Sequence, residues 1–139
     1  MGKTKTVIRN RRPAGCLVFC LLLLSASALP AVKDQLKPHD RYALIFGTVY
    51  GPDDRPVYGI TVKLRRAQDK EKHARWEVYS NHRGEFAQRV PAGKMEYIVW
   101  ADVKGVKTED GTKLGPGDPV HVSIEDDERA DIGLHLTKR

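Results

Sequence analysis

Five histidines are the residues of this 139-residue chain best suited to acid–base or metal chemistry: His39, His73, His82, His121 and His135. A site needs several such groups, or one beside a nucleophile or carboxylate, gathered at one point. His82 falls in a turn, His73 in a charged loop, and His121 and His135 at outward positions of two late strands, so a dispersed, solvated set is expected. Were those two strands to pair, His121 and His135 would share a sheet face as a two-ligand Zn²⁺ or Ni²⁺ site, fewer ligands than these metals ordinarily hold. The carboxylates cluster more tightly. Glu125, Asp126, Asp127, Glu128 and Asp131 crowd one turn, and Asp53 and Asp54 another. Oxygen donors suit Ca²⁺, yet the alternating Asp or Asn spacing with glycine at the sixth place is missing, which favours a solvated acidic hairpin turn. Neither a metal nor a cofactor is expected.

Nucleophilic chemistry lacks its motifs. There is no Gly-x-Ser-x-Gly elbow, no His-Glu-x-x-His and no glycine-rich phosphate loop. A hydrolase would require a cleft gathering His121, His135 and an acidic residue. The aromatics are more informative, because rings left outside the core stack on sugars or meet a partner protein. Trp76, Trp100, Tyr79 and Tyr50 are the expected ligand or partner surface, with Tyr42 beside them. Trp76 and Trp100 stand in opposite registers relative to their neighbours, so one is expected in the core and the other outside. Simple core packing competes as the reading for each.

The cations are unevenly placed. Lys3, Lys5, Arg9, Arg11 and Arg12 precede an apolar run, Cys16 to Leu24, and then the small residues Ala26, Ser27 and Ala28. That order is the signature of a secretory signal, and the run is well short of the roughly 20 residues a membrane span needs. Residues 1–28 are therefore expected to be a signal peptide read at Ala26 and Ala28 and cut after Ala28, with Ser25 and Ala31 as alternatives. The peptide engages the membrane only before cleavage. Without it, 19 cations face 18 carboxylates, so the basic balance of the whole chain gives no reason to expect nucleic-acid binding, which needs clustered cations. Both cysteines leave with the signal. The expected product is a secreted or periplasmic domain of 111 residues held by its core alone, in a compartment where disulfides would form.

Residues 29–41, with two prolines and mixed charge, are expected as a linker or lead-in. From Tyr42 the pattern has a period of two. Ala43, Ile45, Gly47 and Val49 alternate with Tyr42, Leu44, Phe46, Thr48 and Tyr50, a strand apolar on both sides, as one partly covered on its second face would be. Further strands follow at Ile60–Arg65, around Trp76 and Val78, at Phe86–Val90, at Tyr97–Val103, at Val120–Ile124 and at Ile132–Leu136, separated by turn residues. Residues 104–119, polar and glycine-rich, are expected as a loop suited to recognition. Seven short strands without a helical stripe predict an all-β, seven-stranded antiparallel β-sandwich over 42–137, with a small open barrel as the competing architecture. Val49, Ile60, Val62, Leu64, Phe86, Tyr97, Val99, Val122, Ile124 and Leu134 should form its core.

Three stretches carry a resemblance. Gly47-Thr48-Val49-Tyr50 with Pro56-Val57-Tyr58-Gly59-Ile60-Thr61-Val62, then Ser80-Asn81-His82-Arg83-Gly84-Glu85-Phe86, then Val90-Pro91-Ala92-Gly93 before Tyr97-Ile98-Val99, resemble in order and spacing the carboxypeptidase regulatory-like domains, which have the transthyretin-like sandwich fold. What they encode is turn geometry: Gly84 and Gly93 are expected at positive φ, and Asn81 is expected to bond its own turn. Trp100 and Asp102 depart from the plainer residues usual late in that family's fifth strand. The same fold includes a purine-pathway hydrolase with a carboxy-terminal Tyr-Arg-Gly-Ser signature; here the corresponding residues are Leu136-Thr137-Lys138-Arg139, so that activity is not carried over. The resemblance implies a non-catalytic accessory domain for binding or structural support in the periplasm or at the cell surface. Its expected partner is a cell-envelope protein or polysaccharide, and a carbohydrate-binding module using exposed aromatics is the alternative.

Overall fold

The computed structural model describes residues 36–139; the expected signal peptide, its cleavage residues Ala26 and Ala28, and most of the lead-in lie outside them. Nine strands follow in order: β1 Tyr42–Tyr50, β2 Thr61–Arg66, β3 Trp76–Tyr79, β4 Glu85–Pro91, β5 Met95–Asp102, β6 Leu114–Gly115, β7 Val120–Ile124, β8 Arg129–His135 and β9 Thr137–Lys138. They form a three-stranded sheet in the order β4-β1-β8, a four-stranded sheet in the order β3-β2-β5-β7, and a short β6-β9 ribbon. The seven longer strands are the seven that the alternation predicts.

Period-two burial explains the sandwich. Ala43, Ile45 and Val49 of β1, with Phe86 and Val90 of β4 and Leu134 of β8, face Val62 and Leu64 of β2, Tyr97, Val99 and Ala101 of β5, and Val122 and Ile124 of β7; all belong to one buried cluster. Every residue expected in the core is there. Burying each of the larger side chains contributes about 1.5–3 kcal/mol, and among the described residues no cysteine is present to add a covalent tie. Gly47 is inward on the central strand because the Phe86 ring occupies its place: a Cβ there would stand 2.5 Å from Phe86 Cζ and 2.9 Å from Ile132 Cγ1.

Three details differ from the alternation's forecast. Strand β8 runs parallel to β1, with Leu44 opposite Arg129 and Tyr50 opposite His135, whereas every other pairing is antiparallel. Periodicity sets which face a strand buries but not which direction it runs, so this was invisible locally. The second difference is in residues 104–119. Their middle holds Leu114 in the core and pairs with β9, while Thr108 and Thr112 close a tight turn through Thr108 N–H to the Thr112 carbonyl at 2.9 Å. The stretch is a folded flap, not an open loop. Third, Ser80 is a buried polar residue: its Oγ accepts from the Ile60 N–H at 2.9 Å and donates to the Val57 carbonyl at 2.7 Å, fastening the end of β3 to the entry of β2.

Candidate ligand-binding groove

On the outward side of the four-stranded sheet, register places Tyr79, Thr61 and Asp102 in one cross-strand row, Glu77, Lys63 and Trp100 in the next, and Arg65, Ile98 and His121 in a third. Neighbours in such rows are close enough for side chains to interact. Lys63 is the hub. Its Nζ donates to Asp102 Oδ2 at 2.7 Å and lies 3.6 Å from Glu77 Oε1. Lys63 and Asp102 are about a quarter exposed, 25% and 23%. The hydrogen bond to Asp102 holds the Lys63 ammonium above its ordinary range, and the same bond, with the Lys104 N–H, holds the Asp102 carboxyl below its own. Both shifts favour the charged pair.

The β2–β3 connection is fastened beside this face. Asp69 accepts from the Arg66 N–H at 3.2 Å and pairs with Arg75 at 3.1 Å, and the Arg65 guanidinium reaches the Arg66 and Asp69 carbonyls. Burial pushes the Asp69 carboxyl up, but the Arg75 bond and charge with the Arg66 N–H outweigh it, and the carboxyl titrates below its ordinary value. Next to the fastened loop a groove of about 730 Å³ opens, lined by Lys72–Ala74, by Lys63, Glu77, Trp100 and Asp102, and by the β6–β9 side through Pro116, Thr137 and Arg139. Its size is that of ordinary small-ligand sites. Lys63, Lys72, Lys104 and Arg139 set four cations against the two carboxylates Glu77 and Asp102.

The four aromatics expected to make a binding surface do not gather. Trp76 is a core residue at 8% exposure, edge-on to Tyr97 with ring centroids 5.8 Å apart, so it cannot present its ring to a ligand. Trp100 is half-buried and lines the groove. Tyr79, 66% exposed, shares Trp100's face at the edge strand. Tyr50 belongs to the other sheet, stacked on His135 at 5.0 Å. There the outer side of β1 is covered by cations: Arg89 lies 4.5 Å over Tyr42 and Arg129 4.2 Å over Phe46, the second-face cover that the doubly apolar pattern of β1 implied. Residue patterns missed Tyr58, 61% exposed and stacked on His82 at 4.2 Å; its position between Val57 and Gly59, in a turn, was the available signal.

The histidine pairing does not form. Strand β7 lies beside β5 and β8 beside β1, in different sheets. His121 instead meets Glu96 at 2.9 Å, and His135 lies 3.6 Å from Asp54, so the cleft a hydrolase would need is absent among the described residues. No group of three or more His, Cys, Asp or Glu residues there is placed to hold a metal ion. The acidic turn is neutralised in part by Arg41, 2.7 Å from Asp126 and 3.3 Å from Asp127. No helix of the described residues is long and apolar enough to cross a membrane.

No family model matches the chain, and no curated protein matches it in sequence. Solved structures match in fold. The major pilin subunit BcpA of Bacillus cereus superposes with a TM-score of 0.53 at 20% identity, over 70% of this chain and 30% of that one. The shaft pilin SpaA of Lactobacillus rhamnosus GG gives 0.51 at 10% identity, over 70% and 50%. The 5-hydroxyisourate hydrolase of Klebsiella pneumoniae gives 0.45 at 14%, over 70% and 96%. The chain thus spans half or less of the two pilins' lengths. At these identities the likeness to the pilins establishes the fold, an all-β sandwich, and nothing of the chemistry.

Proposed function

We propose that this is an exported, non-catalytic accessory domain that binds a component of the cell envelope through the outward face of its four-stranded sheet. One observation carries the reading: a groove in which Trp100 stands beside the Lys63–Asp102–Glu77 ion-paired cluster, with Lys72, Lys104 and Arg139 at its margins. Binding sites combine such an aromatic with a few oriented polar groups. The basic-then-apolar leader over 1–28, with a cut after Ala28, supports export to the periplasm or cell surface, and the lead-in over 29–41 then joins it to a sandwich over 42–137. The motif order from Gly47 to Val99 supports kinship with the carboxypeptidase regulatory-like domains. The pilin likeness supports a structural or surface role for a sandwich of this kind.

The test is retention of the purified protein on washed envelopes of the cells that make it. Wild-type protein should sediment with them, and Trp100→Ala, checked for an unchanged circular dichroism spectrum, should remain in the supernatant. Equal partition of the two would remove the groove from the binding role, and no retention of either would overturn the reading.

A further inference from the structure

The groove's own chemistry narrows its occupant. Lys63 holds the two carboxylates of the groove, Asp102 at 2.7 Å and Glu77 at 3.6 Å. Lys72, Lys104 and Arg139 line the same space, and all three are exposed. An anion therefore finds, at the groove's margins, cations that no carboxylate of the described residues pairs with. Between them, however, it meets Glu77 and Asp102, whose oxygens repel a ligand charged at every step and accept hydrogen bonds from hydroxyls. The best match carries acid groups on a framework rich in neutral hydroxyls. Trp100 adds a flat apolar surface of the kind on which the C–H face of a sugar ring rests.

Resting on the binding role proposed above, we infer that the groove takes an acidic polysaccharide of the uronic-acid class, with a sugar ring against Trp100, hydroxyls donating to Glu77 and Asp102, and the carboxylate among Lys72, Lys104 and Arg139. Tyr79 lies on the same face, two strands from Trp100, on the order of 10 Å away at ordinary strand spacing. A second ring of a bound chain reaches it there. An acidic polypeptide satisfies the outer cations but brings neither the ring for Trp100 nor the hydroxyls for the carboxylates.

Tryptophan fluorescence reads the event selectively, because Trp76 is in the core and Trp100 lines the groove. The purified protein is titrated with hyaluronan and galacturonate oligosaccharides, with the methyl-esterified galacturonate oligosaccharide, and with poly-glutamate. Saturable binding of at least one acidic sugar is expected, weakened about tenfold by the double change Lys72→Glu and Lys104→Glu and, read by calorimetry because the reporting ring is gone, by Trp100→Ala, roughly 1.4 kcal/mol in each case. Raised salt should weaken it too, and the ester and poly-glutamate should each bind about tenfold or more weakly than the acidic sugar. The lysine variant lies on exposed loops, so its fold survives even where the tryptophan variant's does not. Ester binding equal to that of the acid, poly-glutamate binding as tightly as the sugars, or no binding of either acidic sugar overturns the inference. Failure here with envelope retention intact overturns only the uronic-acid assignment, whereas loss of both overturns the binding role itself.

Discussion

Lys63 illustrates how a single side chain organises a face. An exposed ion pair is worth about 0–1 kcal/mol because water and salt screen it, and Lys63 with Asp102 sits near the upper end, the two being only about a quarter exposed. The Asp102 carboxyl titrates below its ordinary 3.8. Its contribution is therefore complete above that value and is lost as pH falls through the lower, folded-state value. The Lys63 ammonium titrates above its ordinary 10.5, so its contribution is complete below that value and is lost as pH rises through the folded-state one. The stability gap between wild type and Asp102→Asn should be flat across neutral pH, about 1 kcal/mol or less, and should close below about pH 4. Urea melts over a pH series measure it, and a gap that widens in acid would contradict the pairing. This partnership was not legible in the residue pattern. Lys63, Glu77 and Asp102 are outward polar positions on three strands, and only the register of β2 against β3 and β5 brings them together. The identities of core and surface tryptophan were legible as alternatives and no further: opposite registers indicated that one ring is inside, and pairing decided that it is Trp76.

At the scale of elements, the turns were the most readable part. Asn81 Oδ1 accepts from the Arg83 and Glu85 N–H groups at 2.8 and 3.0 Å, and Gly84 and Gly93 have φ of 71° and 112°. These are local properties, settled by a residue and its immediate neighbours, which is why three short motifs anticipated them. Yet the two glycines differ in what surrounds them. A Cβ on Gly84 would stand 2.7 Å from Pro56 Cβ and 2.9 Å from the Val57 nitrogen, whereas one on Gly93 would meet open space. Gly93→Ala should therefore cost only the conformational strain, about 1 kcal/mol, and Gly84→Ala that strain plus a backbone collision, about 3 kcal/mol or more. Thermal melts of the two variants rank them, and equal losses would mean that the β1–β2 and β3–β4 turns are not packed together as described. By contrast β6 and β9, two residues each, carried no period to detect. Leu114 lies within a polar, glycine-rich stretch, and what makes it a core residue is the distant ribbon partner, not its neighbours in sequence.

For the whole molecule, the three-stranded sheet is completed only by its last long strand. β1 is central, with β4 on one side and β8 on the other, and β8 with the residue after it delivers Leu134 and Leu136 to the core. Deleting residues 129–139 should leave a chain without a cooperative melt, because β1 becomes an edge and the inner layer loses two of its largest aliphatic residues. Differential scanning calorimetry checks this, and a sharp transition in the truncated chain would show β8 to be dispensable. The parallel seam between β1 and β8 also dictates a timetable. A polypeptide delivered amino end first, whether from a ribosome or through a pore, has Leu44 waiting for Arg129 and Val49 for Leu134. Contacts so far apart along the chain form late. Until that closing strand emerges β1 keeps one open edge, and the domain locks only when residues 129–135 have joined it.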